Sequence, residues 1–146
     1  MAEFNILVIN PGSTSDEVSF YRGDKLVFHK MVRYSPEALK PYEQRKIAAQ
    51  YDFRKNMVLA ALAENKVELS EIHAVIGRGG LLRPIEGGTY EINDKMLKDL
   101  QEGFMGDHAS NLGGLLAKSI ADLRQIPSFI ADPGVVDELI ENRANK

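Results

Sequence analysis

Apolar and polar positions along this chain change period in an orderly way. Residues 4–10 are mostly apolar, as in a strand covered on both faces, and residues 17–22 alternate like a half-buried strand. Arg22-Gly23-Asp24-Lys25 supplies a tight hairpin turn, and Leu26–Arg33, with β-branched and aromatic content, predicts a third strand. Three antiparallel strands therefore open the fold. Ser35-Pro36 is a helix start signal, with a second possible start at Pro41, after which Ile47, Tyr51, Val58 and Leu62 keep a helical spacing that reads as core packing. Ile72–Ile76 predicts a short buried strand ending at Gly77-Arg78-Gly79-Gly80, with His73 as a strand-edge or satisfied core residue rather than a ligand. Leu81–Ile92 reads as a loop and small hairpin turning at Gly87-Gly88, an excursion from the core. Asn93-Asp94 caps a short helix through Leu100, and a longer helix begins near His108 with Leu112, Leu115, Leu116, Ile120 and Leu123 facing inward. Ser128–Ala131 predicts a fifth strand ending at Asp132-Pro133-Gly134, and Val135–Asn142 a last helix. Helical crossovers make the later strands parallel.

One stretch carries candidate chemistry. Residues 5–20 run from a buried strand through Asn10-Pro-Gly-Ser-Thr-Ser15 into a second strand, which is how a chain can hold a phosphate group. Gly12 lets the main chain approach, its neighbours offer backbone N–H groups, and Ser13, Thr14 and Ser15 add hydroxyl donors. Alternation puts Ser13, Ser15 and Glu17 on one face, so a carboxylate stands where a phosphate site wants a cation.

Composition narrows the class. With 146 residues, 44% apolar content and a net charge of −3, the chain reads as a single domain with a sizeable core. The lack of cysteine excludes a disulfide framework, thiolate metal sites and a cysteine nucleophile, and His29, His73 and His108 lack zinc-site spacing. A core strand at the very start and no apolar run near ~20 residues predict a cytoplasmic protein with no signal peptide and no membrane partner. The absence of a basic stripe argues against nucleic acid. The Gly-rich element at 77–80 has Leu82 where a dinucleotide fingerprint needs its third glycine, and no Gly-Lys-Ser/Thr motif occurs.

The order βββαβ(αα)βα and five motifs in sequence give a resemblance. INPGSTS at 9–15, DFRKN at 52–56, GRGGLLRPIEGGTYEIN at 77–93, GDHASNLGG at 106–114 and SFIADPGVVDEL at 128–139 resemble the N-terminal domain of the acetate and butyrate kinase family, and most closely its butyrate kinases. The likeness covers roughly residues 4–139. It implies an α/β, ribonuclease H-like domain of the actin, hexokinase and acetate kinase ATPase superfamily, one lobe of two. It further implies phosphoryl transfer between ATP and a short-chain carboxylic acid such as butanoate, giving an acyl phosphate and ADP with Mg²⁺, a chemistry of positioning and charge neutralisation. By the same resemblance Asn10, Ser13 and Ser15, with Gly12 and Thr14 between them, match the phosphate-contacting turn. Arg78 matches the arginine that meets the substrate carboxylate, Asp132 the acidic residue near the metal and the transferring phosphate, and His108 a histidine lining the substrate side. Without the resemblance, Asp132 before proline reads as a turn residue, Arg78 as a solvated loop cation and His108 as a helix N-terminal residue.

Two departures from the family pattern stand out. Asp16-Glu17 occupy positions where the pattern has Thr-Lys, and the likeness fades after Leu139. Residues 1–146 are therefore expected to be a single N-terminal domain without the lobe that binds adenosine, inactive alone. The alternative is a non-enzymatic lone lobe that self-associates or binds a phosphorylated ligand through the 10–15 turn. Apolar Val135, Val136, Leu139 and Ile140 on the last helix favour homo-oligomers.

Overall fold

A computed structural model describes residues 4–80 and 88–131. Its six described strands form one mixed sheet in the order β3-β2-β1-β4-β6-β5. Strand β1 (Asn5–Pro11) pairs antiparallel with β2 (Ser15–Arg22), which pairs antiparallel with β3 (Lys25–Arg33). Strand β4 (Ala74–Arg78) runs parallel to β1, and β6 (Ser128–Ala131) parallel to β4. The carboxyl ends of β1, β4 and β6 therefore share one edge of the sheet. Open α/β sheets bind ligands at such an edge.

The region around 81–92 differs from the sequence expectation. Thr89–Glu91 forms β5, an edge strand antiparallel to β6, so this segment joins the sheet and Ser128–Ala131 is the sixth strand. Residues 81–87 of the expected loop lie outside the described residues.

The helices follow their sequence signals with shifted bounds. Helix α1 (Pro36–Leu39), capped by the Ser35 hydroxyl at 3.1 Å from the Ala38 N–H, lasts one turn. Two 3₁₀ turns intervene, so Ile47 lies in the second of them and the long helix α2 begins at Tyr51 and runs to Glu64. Helix α3 (Asp94–Glu102) is capped by the Asn93 side chain and ends at Gly103 with φ 70°. Helix α4 (Leu112–Asp122) buries Leu112, Leu116 and Ile120, but Leu123 lies beyond the last turn and is 49% exposed, not inward. The expected helix at 135–142 lies outside the described residues.

Alternation assigns the faces. Leu7, Ile9, Val18, Phe20 and Val75 point to one side, where α2 covers β2 and β3 while α4 covers β1, β4 and β6. Close contact between α4 and β4 is possible only through glycine. A Cβ on Gly77 would stand 2.1 Å from the Gly113 carbonyl oxygen, and one on Gly113 would stand 2.6 Å from the Arg78 carbonyl oxygen. No helix among the described residues is long and apolar enough to cross a membrane.

Candidate functional site

Strand register brings part of the expected set together. Asn10 pairs with Glu17 across β1 and β2, and Ile9 pairs with Gly77 across β1 and β4. Residues next to Ile9 and Gly77 point to the opposite face, so Arg78, Asn10 and Glu17 form a row across three adjacent strands on the face away from the helices. At about 4.8 Å per strand, the row spans about 10 Å from Arg78 to Glu17. Arg78 is exposed, while Asn10 and Glu17 are half-buried.

Strand β2 starts at Ser15, so Ser13 and Thr14 form the exposed tip of the β1–β2 turn while Ser15 and Glu17 share the open face. The Gly12 N–H donates to the Ser15 carbonyl at 2.6 Å. That amide closes the turn, leaving the N–H groups further along for a ligand. A Cβ at Gly12 would meet the Ser15 carbonyl oxygen at 3.4 Å, an ordinary contact, so the protein's own packing does not demand glycine there.

Beneath the turn lies a cluster the sequence reading did not assign. Asp16 and Arg54 are fully buried and paired, Nη1 to Oδ1 2.8 Å. Arg54 also donates from Nη1 to the Gly12 carbonyl at 2.7 Å, from Nη2 to the Ser13 carbonyl at 2.9 Å and from Nε to Gln50 Oε1 at 3.0 Å. The Tyr34 hydroxyl donates to the other Asp16 oxygen, its ring lies 5.0 Å below the guanidinium, and its backbone N–H donates to the Thr14 carbonyl at 2.9 Å. Burial pushes the Asp16 carboxyl up, against the opposing pull of Tyr34 and Arg54, and burial together with Asp16 pushes the Tyr34 hydroxyl up. The two acids of Asp16-Glu17 thus occupy opposite faces. The signal was legible: Asp16 falls in the buried register with Val18 and Phe20, and Arg54 stands four residues before Val58 on the buried stripe of α2. Two opposite charges at core positions predict a pair.

Glu17 reaches outward, with Oε2 3.4 Å from Nε2 of His29 and its side chain 43% exposed. His108 sits where α4 approaches the end of β4, since Gly79, with φ 80°, would bring a Cβ to 3.2 Å from Ser110 Cβ. Its Nδ1 accepts the Ser110 N–H at 3.1 Å and caps the 3₁₀ turn that leads into α4. Nδ1 also lies 2.9 Å from the Ser110 hydroxyl, so both contacts of the ring with Ser110 engage Nδ1 rather than Nε2. Asp132, expected near metal and phosphate, lies outside the described residues, as do Val135, Val136, Leu139 and Ile140. The described residues contain no group of three or more His, Asp or Glu able to hold a metal, and buried Asp16 is already engaged. A surface groove of about 520 Å³ between α2, α3 and α4, lined by Tyr51, Lys55, Leu97 and Lys118 among others, contains none of the expected site residues.

Comparison with known proteins adds a lineage. No protein-family model matches the chain. It is 53% identical over 137 residues to "Probable butyrate kinase" of Elusimicrobium minutum, covering 94% of this chain and 37% of that protein. It is 50% identical over 138 residues to "Butyrate kinase 1" of Clostridium acetobutylicum, covering 94% and 38%. Among solved structures it resembles a propionate kinase from Francisella tularensis (TM-score 0.52, 16% identity, 93% of this chain and 38% of that one). It also resembles the Porphyromonas gingivalis acetate kinase (TM-score 0.54, 17% identity, 91% and 38%). At such identities the structural likeness establishes the fold. The chain spans 37–38% of the length of these curated relatives. Over nearly all of its own residues, then, this chain is similar to the butyrate kinases, and its fold is that of the propionate and acetate kinase structures.

Proposed function

We propose that this chain is the phosphate-turn lobe of a carboxylate kinase that transfers phosphate between ATP and a short-chain fatty acid, with butanoate as the acid. What supports the reading is convergence at one sheet edge of the 10–15 turn, Arg78 and the His108 segment, in a chain half identical to butyrate kinases. In this reading the Ser13, Thr14 and Ser15 tip receives the phosphates. Arg78 binds the acid through a two-pronged hydrogen bond suited to a planar carboxylate, and His108 offers its Nε2 on the acid's side. Mg²⁺ enters such sites largely on the nucleotide, taking one or two protein carboxylates, and Asp132 is the candidate. A second lobe supplies the adenosine pocket. Glu17, beside Asn10 in register, favours a second reading in which this lobe binds phosphates weakly and turns over nothing by itself.

The test is a chimera in which this chain replaces the matching stretch of the Clostridium acetobutylicum relative, assayed by hydroxamate formation from butyrate, ATP and hydroxylamine. With Glu17→Lys the chimera should be active, and with Glu17 retained at least about tenfold slower, as expected when a phosphate contact changes sign. Arg78→Ala in the active chimera should raise the KM for butyrate far more than that for ATP. A folded but inactive Glu17→Lys chimera, or equal effects of Arg78→Ala on both substrates, contradicts the reading.

A further inference from the structure

We propose that Arg54 is the positioning residue of the β1–β2 turn: it draws the Gly12 and Ser13 carbonyls inward and thereby aims the N–H groups of Ser13 and Thr14 outward as a cradle for a phosphate chain. The inference deepens the phosphate-turn reading and rests on it. In a trans peptide the N–H of one residue points opposite to the carbonyl of the residue before it, and no described peptide is cis. Arg54 holds the Gly12 carbonyl at 2.7 Å and the Ser13 carbonyl at 2.9 Å from below. The next two N–H groups, those of Ser13 and Thr14, must therefore face away from the core.

The other inward-directed groups are already satisfied. The Thr14 carbonyl takes the Tyr34 N–H, and the Gly12 N–H takes the Ser15 carbonyl. What remains at the tip is two successive N–H groups directed alike, the geometry that makes a backbone anion site, beside the exposed side chains of Ser13 and Thr14. An ion pair with Asp16 alone would not need this arrangement. The guanidinium is planar and carries five N–H donors in fixed directions, so it can hold several oxygens at once. Its orientation is set by Gln50 on Nε, by Asp16 on Nη1 and by the Tyr34 ring on which it lies. A lysine has a point charge on a flexible stem and cannot span the two carbonyls in this way.

The experiment uses ¹⁵N-labelled chain titrated with pyrophosphate at low salt. In the unmodified chain the largest amide shifts should fall on Ser13 and Thr14. Two variants test the grip: Arg54→Lys, which keeps a cation beside Asp16, and Asp16→Asn/Arg54→Gln, which leaves no buried charge. Both should weaken pyrophosphate binding by about tenfold or more and change the dipolar couplings of the Ser13 and Thr14 N–H vectors without ligand, while Leu7, Val18 and Val75 keep their shifts. Variants with an intact core that bind as tightly as the parent overturn the role of Arg54. Pyrophosphate shifts centred away from the turn in the unmodified chain also overturn it, and that arm decides even where a variant fails to fold. If neither the parent nor Glu17→Gln responds to pyrophosphate, the phosphate-turn reading itself falls and the cradle with it, whereas a response that survives unchanged in the Arg54 variants removes only Arg54.

Discussion

Removing Arg54 and removing the charge of Asp16 should have unequal consequences, because the two residues have unequal alternatives. Arg54→Met leaves Asp16 buried with only Tyr34 to donate to it, and strips the Gly12 and Ser13 carbonyls of their partner. Deleting one member of a buried pair costs about 3–5 kcal/mol, a large share of the ~5–15 kcal/mol of a whole domain. Asp16→Asn leaves the Arg54 guanidinium buried without its counter-charge but still holding the two carbonyls, Gln50 and an amide oxygen, so the loss should lie below that range, at ~2–3 kcal/mol. Adding Asp16→Asn to Arg54→Met removes the uncompensated charge, and the double variant should be more stable than Arg54→Met alone by ~1–2 kcal/mol. Urea unfolding followed by circular dichroism measures all four chains. Acidity supplies an independent check. Burial raises the Asp16 carboxyl above its ordinary value of 3.8, and without Arg54 one of the groups that lowers it is gone. A carboxyl that binds its proton more tightly folded than unfolded favours the fold at low pH and loses that contribution as pH rises through the folded value. The deficit of Arg54→Met should therefore shrink as the pH is lowered from neutrality towards the ordinary carboxylate value of 3.8. Strict additivity of the two substitutions, or a deficit that grows on acidification, would refute the reasoning.

Other predictions follow from single contacts. Gly77→Ala places a Cβ 2.1 Å from backbone and should lower stability by ~3 kcal/mol or more, about 10 °C in Tm, whereas Gly12→Ala should stay within ~1 kcal/mol; differential scanning calorimetry separates them. Glu17→Lys removes a repulsion and adds an attraction in a water-accessible site, so pyrophosphate affinity should rise about ten- to a hundredfold by low-salt calorimetry, with Glu17→Gln intermediate and the gain shrinking as salt is added. The Glu71 carboxylate accepts the Glu68 backbone N–H at 2.9 Å and the Arg22 guanidinium at 2.6 Å, so its carbon-detected titration should show a midpoint below the ordinary 4.5, and Arg22→Gln should move it back only in part because the backbone contact is the larger cause.

Strands β1 to β3 were legible because a residue slip would expose their apolar set, and the Ser35 and Asn93 caps were legible because one side-chain oxygen defines each. Strand β5 was legible only as part of a small hairpin at Gly87-Gly88, since an alternation as short as Thr89-Tyr90-Glu91 does not tell an excursion from an edge strand paired with β6. Leu123 kept the helical period but falls just past the last turn, where the period no longer has a face. The site was half legible: strand ends and the Gly/Ser/Thr turn could be read, but adjacency of Asn10, Glu17 and Arg78 required the parallel register of β1 and β4. Asp16-Glu17 shows how far a dipeptide can mislead when its faces are ignored. Read as sequence, two carboxylates stand together at a phosphate turn. In the sheet they lie on opposite sides, and the inner one is matched charge for charge by Arg54, so the buried pair carries no net charge. The charge that a phosphate meets on this strand is that of Glu17 alone, set against the outward N–H groups of the turn. One residue then decides whether the cradle attracts or repels. That is why the same substitution, Glu17→Lys, is informative for both the isolated chain and the chimera, whereas exchanging Asp16 should alter stability first and affinity only through Arg54.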